Sequence, residues 1–326
     1  MQLSILILSY NTKQLTITCL ESVIAELRRA KLLETAEIIV TDNASTDGSP
    51  TAIGHYLRLQ SVKHQVIANT KNLGFPKGNN QAIAAAQGDF LLLLNSDTVV
   101  QAGSLSQLVD AMIAHPPQLQ SATLRHTQPL DRLGILAASL TNPDGSYQPQ
   151  GGDLPNMFNL VVQWSGLDDM PIIGKWLHSP QHTGKSGKAH SVVPGTQIQE
   201  KGWVGATAML IRRQVLDEIG LLDERIFMYG EDVEFCLRAH NHHWDIGMLT
   251  TAKVTHLGSA SSSSENAIIG ELLGLQYIWS KHKPSWQLPL VKMLLKIGVI
   301  IRIILFGIIL PDPARARAYK KALAQI

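Results

Sequence analysis

Four strand-like runs, LSILIL at 3–8, EIIV at 37–40, HQVIA at 64–68 and FLLLL at 90–94, alternate with segments of helical periodicity from Lys13 to Lys31, near 50 to 60 and from Lys77 to Gln87. Runs that stay apolar instead of alternating belong to strands buried on both faces. Parallel neighbours of that kind need helical crossovers, so the pattern predicts βαβ units and an α/β fold with a central, mostly parallel sheet. Ligands of such sheets sit outside the carboxyl ends of the strands. Three of those ends are polar here: SYN at 9–11, TDNASTDGS at 41–49 and NSD at 95–97. No internal repeat is visible.

With 45% hydrophobic and 17% charged residues in 326, the chain can bury a sizeable core and is not a disordered one. Cys19 and Cys236 stand far apart, which excludes a disulfide framework or a CxxC zinc site and suits a reducing compartment. The opening MQLSILILSYN has no basic residue before its short apolar run and reads as a buried strand, not a signal peptide.

Residues 141 to 200 contain TNPDGSYQPQGGDLPN and SPQHTGKSGKAHSVVPG, rich in Gly, Pro and Ser, and are expected to form long loops able to cover a site. WVGATAMLIRR at 203–213 is expected to resume as a strand, with short strands around MLTTAKVTHL. The net charge of +2 hides an asymmetry, since Lys281 onward carries nine Lys and Arg against one Asp, +8, and leaves −6 on the first 280 residues. Such a tail suits an anionic surface, nucleic acid or lipid. From Trp286 to Leu310 the only charges are Lys292, Lys296 and Arg302, which share one side of a helix and leave a wide apolar face. An in-plane membrane helix is expected there, with a spanning helix and a core helix as alternatives.

YGEDVEFCLR at 229–238 holds three carboxylates in four positions. At 100° per residue, Glu231, Glu234 and Arg238 share a face that reads as solvated, with Glu234 paired to Arg238. Asp232 falls with Phe235, Cys236 and Ala239 on the inward arc. An inward carboxylate needs a partner or a task, and the plain alternative is an acid complementing the helix dipole.

Taken together, SILILSYN at 4–11, VTDNASTDGS at 40–49, NTKNLGFPKGNN at 69–80, LLLLNSD at 91–97, GWVGATAMLIRR at 202–213, GLLDERIFMYGEDVEFCLR at 220–238 and THLGSAS at 255–261 resemble glycosyltransferase family 2, most of all its rhamnosyltransferase-like members. The resemblance implies a Rossmann-like A-type fold, with a transferase domain over 1–265 divided near 125 into donor and acceptor halves. Residues 266–326 would be helical and membrane-associated. It also implies inverting transfer from a dTDP- or UDP-sugar to a glycan or lipid-linked saccharide on the cytoplasmic face of a membrane. Membrane contact would run through residues 284–326, with no nucleic acid partner, and a homo-oligomer stays open.

Carried onto these positions, the family pattern puts the donor against Ser9, Tyr10, Asn11, Asp42, Asn43, Asn72, Gly74, Lys77, Asn79, Asn95, Ser96 and Asp97. A carboxylate at Asp42 can accept from a pyrimidine N3–H, although an Asx turn or helix cap is the other reading of that residue; Asp47 reads as a cap. Asp97, with Asn95 in place of the family's first acid, and His256 would hold Mg²⁺ or Mn²⁺. Asp232 would be the general base, with Trp203, Gly205 and Glu231 towards the acceptor and Glu234 structural. A nucleotidyltransferase would share the first half, but no early GxGTR-type loop is present; a non-catalytic relative would not need both Asp97 and Asp232.

Overall fold

A computed structural model describes residues 3–117, 130–167, 192–258 and 264–326. The first part runs Leu3–Ser9 (β1), Lys13–Arg29 (α1), Ala36–Asp42 (β2), Ser49–Arg58 (α2), Lys63–Ala68 (β3), Phe75–Ala85 (α3) and Phe90–Asn95 (β4). β1 lies parallel between β2 and β4, with Ile5 opposite Ile38 and Leu92. Successive side chains leave a strand on opposite faces, so Ile5, Ile7, Leu92 and Leu94 join a core with Leu20 and Leu27 of α1, while Leu6, Leu91 and Leu93 join Ala82 and Ile83 of α3. That two-sided burial is why the runs read as continuous apolar text.

Then follow Thr98–Val100 (β5), Ser104–Ala114 (α4), Leu133–Thr141 (β6), Tyr147–Gln148 (β7), Met157–Ser165 (α5), Ile198–Glu200 (β8), Ala208–Arg212 (β9), Arg213–Ile219 (α6), Glu231–Asn241 (α7) and Asp245–His256 (β10). The sheet order is β3-β2-β1-β4-β9-β6-β10-β5, with β7 on β6 and β8 on β10. β9 is antiparallel to both β4 and β6, and the parallel arrangement resumes between β6 and β10. The expected strand at 203–213 is confined to 208–212; Ala206 and Thr207 form a turn, and Trp203 bridges to Gly152 instead.

Two expectations need correction. Within 141–200, α5, β7 and β8 are regular structure; the Gly and Pro residues that suggested loops only punctuate them, and residues 168–191 lie outside the described residues. The apolar face of α5 is covered from the far end of the chain, by Ser264–His282 (α8), Gln287–Ile304 (α9), a π-helical turn at Leu305–Ile309 and Pro313–Leu323 (α10). These helices share a third core with α5 and α7: Leu160 and Trp164 meet Leu237, Trp279, Leu295 and Val299.

α9 is therefore half core helix, not wholly an interfacial one. Arg302 turns inward, donating to Gln163 O at 2.8 Å and Trp164 O at 3.2 Å with its guanidinium 4.6 Å from the Trp164 ring. The opposite face stays uncovered. Leu290, Met293, Ile297, Ile300, Ile301 and Ile304 are 41–56% exposed and fall within an arc of about 100° on a helix of 3.6 residues per turn. Among the described residues no helix is long and apolar enough to cross a membrane.

Candidate active site

The carboxyl ends of β1, β2 and β4 open into a cleft of about 550 Å³ whose other wall is the 225–229 turn and α8. Tyr10, Asn43, Asn72 and the run Asn95, Ser96 and Asp97 line it from the sheet side, Glu231 and Asp232 from α7. Ser9 and Asn11 do not line it. The Ser9 hydroxyl is 3.2 Å from that of Thr16, and Asn11 accepts from the Thr46 N–H at 2.8 Å. Asp42 is buried, with one carboxylate oxygen accepting from the Ser45 N–H at 2.8 Å and the other from its hydroxyl at 2.6 Å. This is the Asx-turn arrangement left open by the sequence. Asp47 caps two helices, accepting from the N–H of Lys13 at 2.9 Å and of Ser49 at 3.0 Å.

The turn before α3, where Gly74, Lys77 and Asn79 were expected to meet the donor, packs on the second half of the chain. Gly74 has φ 84°, and a Cβ there would meet the Phe227 carbonyl oxygen at 2.5 Å, so glycine alone lets this turn close on the 222–227 segment. The Phe75 N–H is already spent on Phe227 O at 2.8 Å, and Asn80 exchanges two hydrogen bonds with the Leu222 backbone. Lys77 sits 3.5 Å from Glu224, and Asn79 donates to Phe75 O at 2.9 Å. The structure does not bring Lys77 or Asn79 to the cleft, because the start of α3 fastens the two halves of the chain together.

At the end of β4, Asp97 is 2% exposed. Antiparallel pairing sets His256 of β10 opposite Thr98, and its Nε2 comes 3.3 Å from Asp97 Oδ1. The Nδ1 of the same ring is 3.1–3.2 Å from the Gln148 amide, a contact that no sequence signal announced. Among the described residues no three His, Cys, Asp or Glu side chains converge. Asp97 and His256 thus offer one carboxylate and one imidazole, donors that would fit Mg²⁺ or Mn²⁺. Ser259, next to this histidine in the motif, lies outside the described residues.

Tyr229 (φ 71°) and Gly230 (φ 97°) are consecutive left-handed residues, and α7 starts immediately after them. A non-glycine residue held this way stores strain, and here it aims the next two carboxylates into the cleft. Asp232 Oδ1 accepts from the Val233 N–H at 2.8 Å, and the same carboxylate accepts from the Ala206 amide. Burial pushes its pKa up against the pull of these amides. Glu231 is 5% exposed, its Oε2 has no partner, and burial followed by the Asp232 charge raises its pKa further. The pair therefore keeps a proton to higher pH than ordinary carboxylates, with Glu231 its preferred holder. A Cβ on Gly205 would lie 3.8 Å from Asp232 Oδ2. Trp203, bonded through its backbone to Gly152, packs against the core beneath, and neither Trp203 nor Gly205 lines the cleft.

The solvated face predicted for α7 is overturned. Glu231 is buried and Glu234 is fully so, because α8 lies across them. Glu234 meets Arg238 Nε at 3.0 Å, as its spacing predicted, but also Lys281 Nζ at 2.6 Å and His282 Nε2 at 2.8 Å. α8 approaches closely because Gly270 and Gly274 face the strained turn; a Cβ on them would lie 2.6 Å from Met228 O and 2.5 Å from Tyr229 O. Arg225, Phe227 and Tyr229 inside the quoted motif, and Leu273 and Tyr277 on α8, also line the cleft and were missed. Two glycines at i, i+4 in α8 were the only local hint of its contact.

Residues 4–140 match the family model for glycosyl transferase family 2. The chain carries a family 2 glycosyltransferase domain. The transferase is 26% identical over 268 residues to the N-acetylglucosaminyl-diphospho-decaprenol L-rhamnosyltransferase of Mycobacterium tuberculosis, covering 78% of each chain. Among solved structures it resembles a mannosyltransferase from Pyrobaculum calidifontis in complex with GDP-Man and Mn²⁺, with a TM-score of 0.56 at 14% identity over 99% of this chain and 86% of that one. S. aureus TarS gives a TM-score of 0.53 at 16% identity, covering 94% of this chain and 44% of the longer one. Likeness at these identities speaks for fold, and the fold is the α/β A type that the motifs implied.

Proposed function

We propose that the transferase moves a sugar, L-rhamnose by analogy with the mycobacterial relative, from a dTDP- or UDP-sugar to a lipid-linked saccharide with inversion at the anomeric carbon. The observation that carries this reading is the pair Asp97 and Asp232 lining one cleft from different elements, the turn after β4 and α7. The acceptor hydroxyl oxygen attacks the anomeric carbon as the bond to the leaving diphosphate breaks, and its proton passes to Asp232. Two backbone amides fix that carboxylate, and burial raises its affinity for the proton. Asp97 and His256 would hold the divalent cation, which supplies charge to offset the diphosphate as it leaves. Tyr10, Asn43 and Asn72 are placed to bind the nucleoside.

On this reading residues 1–265 form the transferase unit and 266–326 a helical layer that rests on the cytoplasmic face of a membrane, where a lipid-linked acceptor resides. The uncovered face of α9 and the exposed Lys292 and Lys296 support it. Calorimetry with dTDP, UDP and GDP, each with and without Mg²⁺ or Mn²⁺, tests the donor side. Tighter binding of dTDP or UDP with metal is expected. Preference for GDP, the nucleotide type named for the mannosyltransferase of like fold, overturns the pyrimidine assignment.

A further inference from the structure

Among the described residues lining the cleft, the charged side chains are the carboxylates of Asp97, Glu231 and Asp232 and a single cation, Arg225. Arg225 is tethered at its backbone N–H and its Nε. Asp223 Oδ1 accepts from its backbone N–H at 3.1 Å and from its Nε at 3.3 Å, and the guanidinium lies 5.4 Å from the centroid of the Tyr277 ring. Asp223 is itself anchored, accepting on its other oxygen from the Tyr277 hydroxyl at 2.5 Å and Lys281 Nζ at 2.7 Å, and these partners hold its carboxyl far below the usual range despite partial burial.

Lys281 and Arg238 already balance the two carboxylates of this network, Asp223 and Glu234. Arg225 therefore presents a surplus positive charge, with its side chain 72% exposed and, among the described residues, only its Nε engaged. A planar fork with both terminal nitrogens open, on an aromatic platform at the rim of an acidic cleft, is built for a phosphate or diphosphate anion.

Two parts of the reaction carry that chemistry, the donor and a lipid-linked acceptor. The donor diphosphate belongs beside Asp97 at the end of β4. Arg225 stands on the wall shared with α8, and α8 packs on α9, whose outer face is the apolar stripe. We propose that Arg225, held by Asp223 and Tyr277, binds the diphosphate that joins the acceptor saccharide to its lipid, between Asp232 and the membrane surface. This rests on the lipid-linked acceptor proposed above.

The test uses the full chain and two acceptors: N-acetylglucosamine diphosphate carrying a farnesyl chain, and octyl N-acetylglucosaminide, which has no phosphate. Arg225→Gln should raise KM for the diphosphate acceptor by about 10- to 100-fold, with kcat, octyl-acceptor KM and nucleotide affinity little changed. Arg225→Lys should restore part of the loss, since it returns the charge without the fork. An unchanged KM, an equal change with both acceptors, or a matching loss of nucleotide affinity overturns the proposal, the last by assigning Arg225 to the donor. If the wild-type protein uses neither acceptor, the acceptor reading fails, and farnesyl diphosphate binding measured by calorimetry decides Arg225 separately: loss in Arg225→Gln supports it and unchanged binding refutes it.

Discussion

Replacing Glu234 by Gln keeps the shape of the side chain and removes its charge from between Arg238, Lys281 and His282. Breaking a buried pair by removing one partner costs about 3–5 kcal/mol. Here the cations keep other contacts: Arg238 still donates to Leu221 O at 2.7 Å and Lys281 to Asp223 at 2.7 Å. Their side chains are also 16% and 27% exposed. The expected loss is therefore about 2–4 kcal/mol, which for a chain of this length lowers Tm by roughly 3–6 °C. Burial alone would raise the Glu234 pKa, but Lys281, Arg238 and His282 override it and hold the group below its ordinary value. Its stabilisation is then present above the unfolded carboxylate pKa and fades as pH falls through the lower folded value. Thermal unfolding of both proteins across the acid range should show a gap that is widest near neutrality and closes in acid. A Tm within about 1 °C of wild type at neutral pH would refute this account and return Glu234 to the solvated face.

Asp232→Asn should lower turnover by about 10²–10⁴-fold with nucleotide affinity unchanged, read from steady-state kinetics beside calorimetry. Asp97→Asn should weaken the metal-dependent part of nucleotide binding, measured as the difference between titrations with and without Mn²⁺. Glu231 has a raised pKa, so the native state binds more protons than the unfolded one and stability falls as pH climbs from the ordinary carboxylate range through the raised value. Glu231→Gln should flatten that decline in a melting series; an unchanged slope would remove Glu231 as its source. Met293→Glu with Ile297→Glu should weaken binding to vesicles of anionic lipid by at least about tenfold, since burying each side chain is worth about 1.5–3 kcal/mol. Co-sedimentation reads this without the damage that deleting residues 284–326 would do to the core built on Val291, Leu295 and Val299.

The alternation of strand and helix text and the polar ends SYN, DNAS and NSD were legible because they are local: a strand buried on both faces must be apolar throughout, and a parallel neighbour must be reached by a crossover. The ordered motifs singled out Asp97, Asp232 and His256; the fold sets the first two on one cleft, and the paired register of β5 and β10 brings His256 to Asp97. What the helical projection of α7 could not tell was which neighbour would cover it. A projection separates faces but carries no information on a partner more than thirty residues away, and α8 buried the two glutamates that looked solvated. The same limit hid the wall made by Leu273 and Tyr277, the inward turn of Arg302, and the use of the Gly74 turn to fasten Phe227. Local sequence fixes periodicity and turn chemistry; desolvation, and with it the raised proton affinity of Glu231 and Asp232, exists only once segments distant in the chain exclude water from between them.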